Sequence, residues 1–381
     1  MKVLMLSTDA NILETTSSAR DRMERYAVVL GELHVVVVAP RAQAEDAGKK
    51  RSQAHTGNLF LSAACGGIFA RLIKAYRILS ASARRMSFDV VTAQAPDEVG
   101  IIAWLVARRF KIPLQIQIHT DILSPWYRRA SWKERIRYWL ATFLIPRAGC
   151  VRVVSKRIKE SLVSGFGFRV SGITALPIFT DVSKFLEAKE DPDTRERFHL
   201  PSFKMIAAGR FVDKEKNFSM LIDMMRDFVA VCPAALLVLV GDGPDGEKYE
   251  SRIKNYKLEK NVIMEPWRDD LPAFYKSFDL FLLSSNYEGW GRAVVEAMAS
   301  GLAVVMTDVG LAGEVAKDRE NAMVVPVGDR AGFLDACETL YHDSILRQRL
   351  SEEGARTAAE VHPQTWDEYL EEYKKSFTSC A

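Results

Sequence analysis

Short, almost unbroken apolar runs recur along this chain, each separated from the next by a stretch whose apolar positions return every three or four residues. In the first half the runs are Lys2 to Ser7, His34 to Pro40, Asp89 to Gln94, Leu114 to Ile118, Cys150 to Ser155 and Ile173 to Pro177. Continuous rather than alternating hydrophobicity is the mark of strands buried on both faces of a parallel sheet. Arg20 to Gly31, Gly66 to Met86 and Pro96 to Phe110 carry helical spacing, the last with Pro in its first turn. Strand, helix, strand at this interval is a βαβ unit, which implies right-handed crossovers. Arg41 to Asn58 is polar and reads as a surface loop.

The same pattern restarts at Lys204 to Gly209 and continues through Ala235 to Val240, Val262 to Trp267, Phe278 to Leu283 and Gly301 to Gly310. Between the two series lies a charged stretch, Glu187 to Arg197, that contains Pro192. The expected division is therefore a Rossmann-like domain over 1–180, a linker over 181–200, a second Rossmann-like domain over 201–362 and a final helix over 363–378. At 381 residues the chain is too long for one ordinary core, which fits two α/β domains.

Composition adds a location and a charge division. With 48% hydrophobic and 27% charged residues this is an ordinary soluble composition, and no apolar stretch is long enough to span a bilayer. The apolar start, Met1 to Leu6, is too short for a secretory signal, so a cytoplasmic location is expected. Five scattered cysteines without a CxxC pair argue against a disulfide scaffold and a zinc site, and read as reduced thiols. The net charge of +3 conceals 27 Lys and Arg against 13 Asp and Glu in residues 1–180, and 25 against 36 in the remainder. A basic first half points to an anionic partner such as a membrane surface, or to mutual attraction of two oppositely charged domains.

The candidate chemistry gathers at Ser284 to Ala299, where a buried strand empties into a loop and then a helix. Gly289 and Gly291 let backbone N–H groups approach a ligand closely, and the helix aims its positive end at the same place. Glu288 lies in the loop and Glu296 about two turns into the helix, so two carboxylates can bracket an anion. A nucleotide sugar has that layout: sugar hydroxyls, diphosphate, ribose hydroxyls. Arg210, just past a strand, and Lys216, at a helix start, are fixed cations suited to a diphosphate. An acidic helix start and two surface cations are the plainer alternatives.

Glu288 to Glu296 resembles the Glu-x7-Glu motif of retaining glycosyltransferases of family 4, and the resemblance extends over nearly the whole chain. It implies the GT-B fold: two facing Rossmann-like domains, a deep interdomain cleft and a C-terminal helix crossing back to the first domain. By the same resemblance Glu288 contacts the transferred sugar and Glu296 the donor ribose, while Arg210 and Lys216 hold the diphosphate and stabilise the leaving group. His119, at the end of a first-half strand, reaches the transferred sugar. Gly241, in Gly241-Asp242-Gly243-Pro244, lies near the nucleobase, and Gly289, Trp290 and Gly291 complete the donor site. Two departures stand out. The loop Asp9 to Ser18 lacks the glycine pair usual in relatives, and Ile178 to Phe185 lacks the usual Asn-Gly.

The resemblance implies a hexosyltransferase that takes a sugar from a UDP- or GDP-sugar and retains its configuration, and with no Asp-x-Asp site evident no metal or other cofactor is expected. A nucleotide-sugar epimerase of the same architecture and a non-catalytic nucleotide-sugar-binding subunit are the alternatives. Trp126 to Trp139 packs three tryptophans, two tyrosines and five basic residues around one acid. With Arg128, Arg129 and Trp132 it is the candidate acceptor or membrane side. An acceptor glycan or lipid-linked acceptor for cell-envelope polysaccharide, and peripheral docking on an anionic inner membrane face, follow from it. No nucleic-acid motif is present.

Overall fold

The computed structural model describes residues 1–40, 53–166, 172–198, 203–268, 270–361, 363 and 365–380. They form two compact units, Met1–Pro177 with Trp366–Ala381, and Ile178–Thr365.

The first unit runs β1 (Lys2–Ser7), α1 (Ser18–Leu30), β2 (Glu32–Ala39), β3 (Gln53–Thr56), β4 (Leu59–Cys65), α2 (Ile68–Arg85), β5 (Val90–Ala93), α3 (Glu98–Phe110) and β6 (Leu114–Ile118). It continues with α4 (Pro125–Ala130), α5 (Trp132–Leu144), β7 (Cys150–Val153), α6 (Lys156–Phe166) and β8 (Ile173–Ala175). The sheet order is β3-β4-β2-β1-β5-β6-β7-β8, parallel throughout except that β3 pairs antiparallel with β4. Val3 to Leu6 and Val35 to Ala39 are buried because helices cover both faces.

Residues 41–52 of the expected polar loop lie outside the described residues, and the rest of that reading is corrected. Gln53–Thr56 and Leu59–Cys65 form a hairpin, whose second strand is apolar enough to pair with β2. Helix α3 starts at Glu98 rather than around Pro96, because the Asp97 carboxylate accepts the Val99 N–H at 3.0 Å and caps it there.

The second unit runs α7 (Val182–Leu186), α8 (Pro192–Arg197), β9 (Phe203–Ala208), α9 (Asp213–Lys216), α10 (Phe218–Phe228), β10 (Ala235–Val240), α11 (Gly246–Asn255) and β11 (Val262–Glu265). Then come α12 (Leu271–Tyr275), β12 (Leu280–Leu283), α13 (Arg292–Ala299), β13 (Ala303–Thr307), β14 (Met323–Val325), α14 (Arg330–His342) and α15 (Ser344–Glu360). Its sheet is wholly parallel in the order β11-β10-β9-β12-β13-β14. The chain winds one way from β9 and the other way from β12, so the two neighbouring central strands bound a topological switch point. Residues 181–198 of the stretch expected to be a linker over 181–200 belong to this unit and carry α7 and α8, and the other two lie outside the described residues. Burial of Phe185 and Phe198 ties them to it, with the Phe185 ring tilted against that of Tyr275, centroids 6.2 Å apart.

The last helix, α16 (Trp366–Thr378), belongs to the first unit. Tyr369, Tyr373 and Phe377 recur every four residues and are buried, worth about 2 kcal/mol each. Tyr373 stacks on Tyr26 with centroids 3.9 Å apart, and the Tyr26 and Tyr369 hydroxyls meet at 2.9 Å. Beneath them lies Arg152, wholly buried on β7. Its guanidinium donates to Gln117 Oε1 at 3.1 Å, the Leu176 carbonyl at 3.1 Å, the Pro177 carbonyl at 3.3 Å and the Tyr369 hydroxyl at 3.0 Å. One cation thus anchors both the end of the unit's main segment and the start of its returning helix.

The cysteine expectation needs one correction: Cys150 and Cys380 are joined as a disulfide, with Cα atoms 4.7 Å apart, while Cys65, Cys232 and Cys337 are not in disulfides. A separation of 230 residues hides this proximity, which exists only because α16 returns to β7.

Replacing Arg152 by Met removes four hydrogen bonds and leaves the buried Gln117 and Leu176 oxygens without this donor, and we expect a loss of about 2–4 kcal/mol in stability. Urea unfolding checks it: an unchanged midpoint would show that the guanidinium is not what holds α16.

Candidate active site

The switch point of the second unit is where the expected donor residues meet. After β9 the chain passes Gly209 and Arg210 into the single turn α9, then breaks at Asn217, whose φ of +53° is left-handed. Lys216 therefore ends a short turn rather than opening the main helix, which corrects the sequence expectation. Its stem lies over Gly209: a methyl group there would sit 3.4 Å from Lys216 Cε. The ammonium reaches Glu288 Oε1 at 2.5 Å and Glu215 Oε1 at 3.5 Å.

Lys216 and Glu288 are both largely shielded from solvent. Burial pulls the lysine pKa down, but the Glu288 and Glu215 carboxylates outweigh it and the net shift is upward, so the amine stays charged. Arg210 is exposed and pairs with Glu215 at 2.9 Å. Glu215 thus stands between the two cations. Reading the sequence missed it, although its place one residue before Lys216 in a helical turn was a usable signal.

The loop after β12 is sewn to α9. Ser284 Oγ donates to the Lys216 carbonyl at 2.8 Å, and the Asn286 N–H to the Glu215 carbonyl at 2.8 Å. Ser285 Oγ donates to Glu288 Oε1 at 2.8 Å, so the carboxylate that takes the lysine is held from a second side. No sequence spacing signals Ser285. Trp290 is buried, and its carbonyl accepts the Leu311 N–H at 2.8 Å. Gly310, at φ +57°, lies against that carbonyl so closely that any side chain would collide with it.

Gly289 is buried, and Gly291, at φ +96°, precedes the first residue of α13 without a side-chain cap. The leading amides of α13 are therefore available to an anion. Glu296, two turns along, is buried and paired with Arg292 Nε at 2.8 Å. Burial raises its pKa, against the pull of Arg292. Gly241 has a packing reason of its own: at φ +155°, a methyl group there would fall on the Gly209 carbonyl oxygen.

The remaining expected residues belong to the first unit. His119 follows β6 and is half-buried, but its Nε2 is shielded from solvent and has no hydrogen-bond partner among the described residues. Burial first, then Arg152 and Arg22, hold its pKa down to about 3, so the ring is neutral at physiological pH. Arg128 and Arg129 are exposed on α4, with Arg128 lying 5.3 Å from the Tyr138 ring centre. Trp132 is exposed at the start of α5.

Residues 190–357 match the family model described as Glycosyl transferases group 1, and residues 20–178 the Glycosyl transferase 4-like domain. Lipopolysaccharide core biosynthesis glycosyltransferase LpsE of Rhizobium meliloti is 33% identical, covering 62% of this chain and 70% of that protein. The Escherichia coli UDP-Gal:alpha-D-GlcNAc-diphosphoundecaprenol alpha-1,3-galactosyltransferase is 23% identical, covering 72% and 71%. Among solved structures, Anabaena Alr3699/HepE in complex with UDP and glucose superposes with a TM-score of 0.74 at 20% identity, over 94% of this chain and 95% of that one. Sucrose-phosphate synthase from Thermosynechococcus elongatus does so with a TM-score of 0.78 at 18% identity, over 98% of each.

Two consequences can be measured. Lys216→Met leaves the Glu288 carboxylate shielded without its cation, at a cost of about 3 kcal/mol. Adding Glu288→Gln should return most of it in urea melts, and strict additivity of the two changes would contradict the pairing. For His119 the folded pKa lies below the ordinary 6.5, so the unfolded chain binds the extra proton. Its effect on stability is absent above pH 6.5 and becomes destabilising as pH falls below it. His119→Gln should flatten the decline just below pH 6.5, against a background from Asp97, which burial pushes up to about 6, that both proteins share; identical slopes in the two proteins would refute the shift.

Proposed function

The chain belongs to the glycosyltransferases, with the two α/β units of the GT-B architecture, and from that premise we propose that it is a family 4 retaining hexosyltransferase using the Glu288 to Glu296 motif. The donor is a nucleotide-diphosphate sugar, UDP-linked before GDP-linked, since two similar proteins carry UDP in their names. The observation that carries this reading is the meeting of Lys216, Arg210, Glu288 and the uncapped start of α13 at one switch point.

The pyrophosphate lies on the leading amides of α13, with Lys216 and Arg210 neutralising it. These cations do what a divalent ion does elsewhere: they stabilise charge on the departing phosphate. Glu288, steered by Ser285, takes hydroxyls of the transferred sugar, and Glu296, steered by Arg292, takes the ribose. Gly241 borders the base, while Gly289, Trp290 and Gly291 shape the backbone around the phosphates. His119, neutral and with a free ring nitrogen, is assigned to the transferred sugar.

In the transfer the acceptor hydroxyl oxygen forms a bond to the anomeric carbon on the face from which the phosphate leaves. The bond from that carbon to the phosphate oxygen breaks, and the hydroxyl proton passes to the departing phosphate. Glu288 orients the sugar and forms no covalent bond. Arg128, Arg129 and Trp132 are assigned to the acceptor, a glycan or lipid-linked precursor of envelope polysaccharide, in line with the names of LpsE and the diphosphoundecaprenol enzyme.

Arg210→Ala, Lys216→Ala and Glu288→Ala should each lower kcat by roughly 10²–10³-fold with the fold intact. Product formation from a UDP-hexose panel checks it, and chelation of divalent ions should leave turnover unchanged. Near-parental turnover by the Arg210→Ala, Lys216→Ala double variant would refute the phosphate assignment, and an inverted product anomer the retaining one.

A further inference from the structure

The sheet order places α2, α3 and α5 on one face of the first unit. Each belongs to a right-handed crossover that advances in the same direction, β4 to β5, β5 to β6 and β6 to β7. They pack side by side: Arg109 on α3 donates to the Tyr76 hydroxyl of α2 at 3.3 Å, and Arg137 on α5 bonds Glu98 of α3 at 3.2 Å. Their outward surface departs from that of an ordinary solvated layer in two respects.

First, it displays large apolar side chains at helical spacing. Phe69 is 79% exposed, with Ile73 one turn along α2. Trp132, Ile136 and Trp139 follow one another along α5, and the two tryptophans are 66% and 65% exposed. A helix that needs only to be wet has no use for such a stripe.

Second, the surface carries positive charge with no exposed carboxylate. Lys74 and Arg77 on α2, Arg108 on α3 and Arg135 on α5 are exposed. The three helices contain two acids only, Glu98 and Glu134. Glu98 is bound to Arg137, and Glu134 is buried against Ser131.

We propose that this face docks on the surface of an anionic lipid bilayer, the aromatic and aliphatic side chains entering the headgroup boundary while the cations meet the phosphates. It rests on the reading of the chain as a transferase of envelope acceptors, and names the surface from which such an acceptor is met. A second copy of the chain is disfavoured as the occupant, because pairing the face with itself sets cations against cations. A soluble polyanion would satisfy the charges and leave Phe69 and Trp139 in water. The helices start at the edge where the parallel strands end, so Phe69 and Trp132 lie toward the same edge of the sheet as His119.

The test is co-sedimentation of the full chain with vesicles of phosphatidylcholine alone and of phosphatidylcholine with phosphatidylglycerol, at low and high salt. Binding is expected to the second only, weakened by salt. Phe69→Ser, Ile73→Ser, Trp139→Ser in one protein, and Lys74→Glu, Arg77→Glu in another, should each lower partitioning roughly tenfold or more. Both should keep the parental melting temperature and the parental stabilisation by UDP. Failure to bind the anionic vesicles, equal binding to the uncharged ones, undiminished binding by both variants, or a dimer lost in the triple variant would each overturn the proposal. Vesicle binding as described without any stabilisation by UDP would uphold this face and count against the donor assignment instead.

Discussion

The candidate site of the second unit depends on one contact, the ion pair between Lys216 and Glu288. The two residues belong to loops that leave neighbouring strands, β9 and β12, from which the chain winds in opposite directions. Helices cannot fill the opening between such loops, because the crossovers depart from it on both sides. What closes it here is a shielded lysine and a shielded glutamate, supported by Ser285 and Glu215. Neither charge would tolerate that shielding alone. Together they form a preorganised cation whose carboxylate partner stands where, in the proposed reaction, the sugar and phosphate would compete for the lysine.

The same logic explains the arrangement around the pair. The Lys216 stem lies in van der Waals reach over Gly209, and Gly241 has no side chain because the Gly209 carbonyl already occupies the space. Gly310 has none because the Trp290 carbonyl does. Backbone, more than side chains, brings the loops close, and the leading amides of α13 stay uncapped as a result. In the first unit a cation also organises the packing, but Arg152 is sealed beneath α16 and bonds only to neutral oxygens. In the proposed reaction Lys216 meets the donor, whereas Arg152 holds a helix.

Most of this architecture was legible in the residues because buried parallel strands are written as uninterrupted apolar runs, as at Ala235 to Val240 and Leu280 to Leu283. The helical recurrence of Tyr369, Tyr373 and Phe377 likewise announced a helix with one buried face. Hidden were features that depend on what is adjacent in space. Leu59 to Cys65 follows a polar stretch, and its strand character shows only in its pairing with β2. Cys150 and Cys380 lie 230 residues apart. Ser285 and Glu215 are ordinary residues until the two loops are set side by side, and Lys216 was assigned to the wrong helix because the left-handed turn at Asn217 leaves little trace in composition. The charge division between the halves was visible; that Phe69 and Trp139 point outward among those charges was not.

Amide hydrogen exchange at the start of α13 tests the central claim most directly. If a nucleotide diphosphate is held by the uncapped helix end beside Lys216, saturating UDP should slow exchange at Arg292 and Ala293 in the full chain, and Lys216→Met should weaken that protection. UDP bound with protection elsewhere and none at Arg292 and Ala293 would contradict the account.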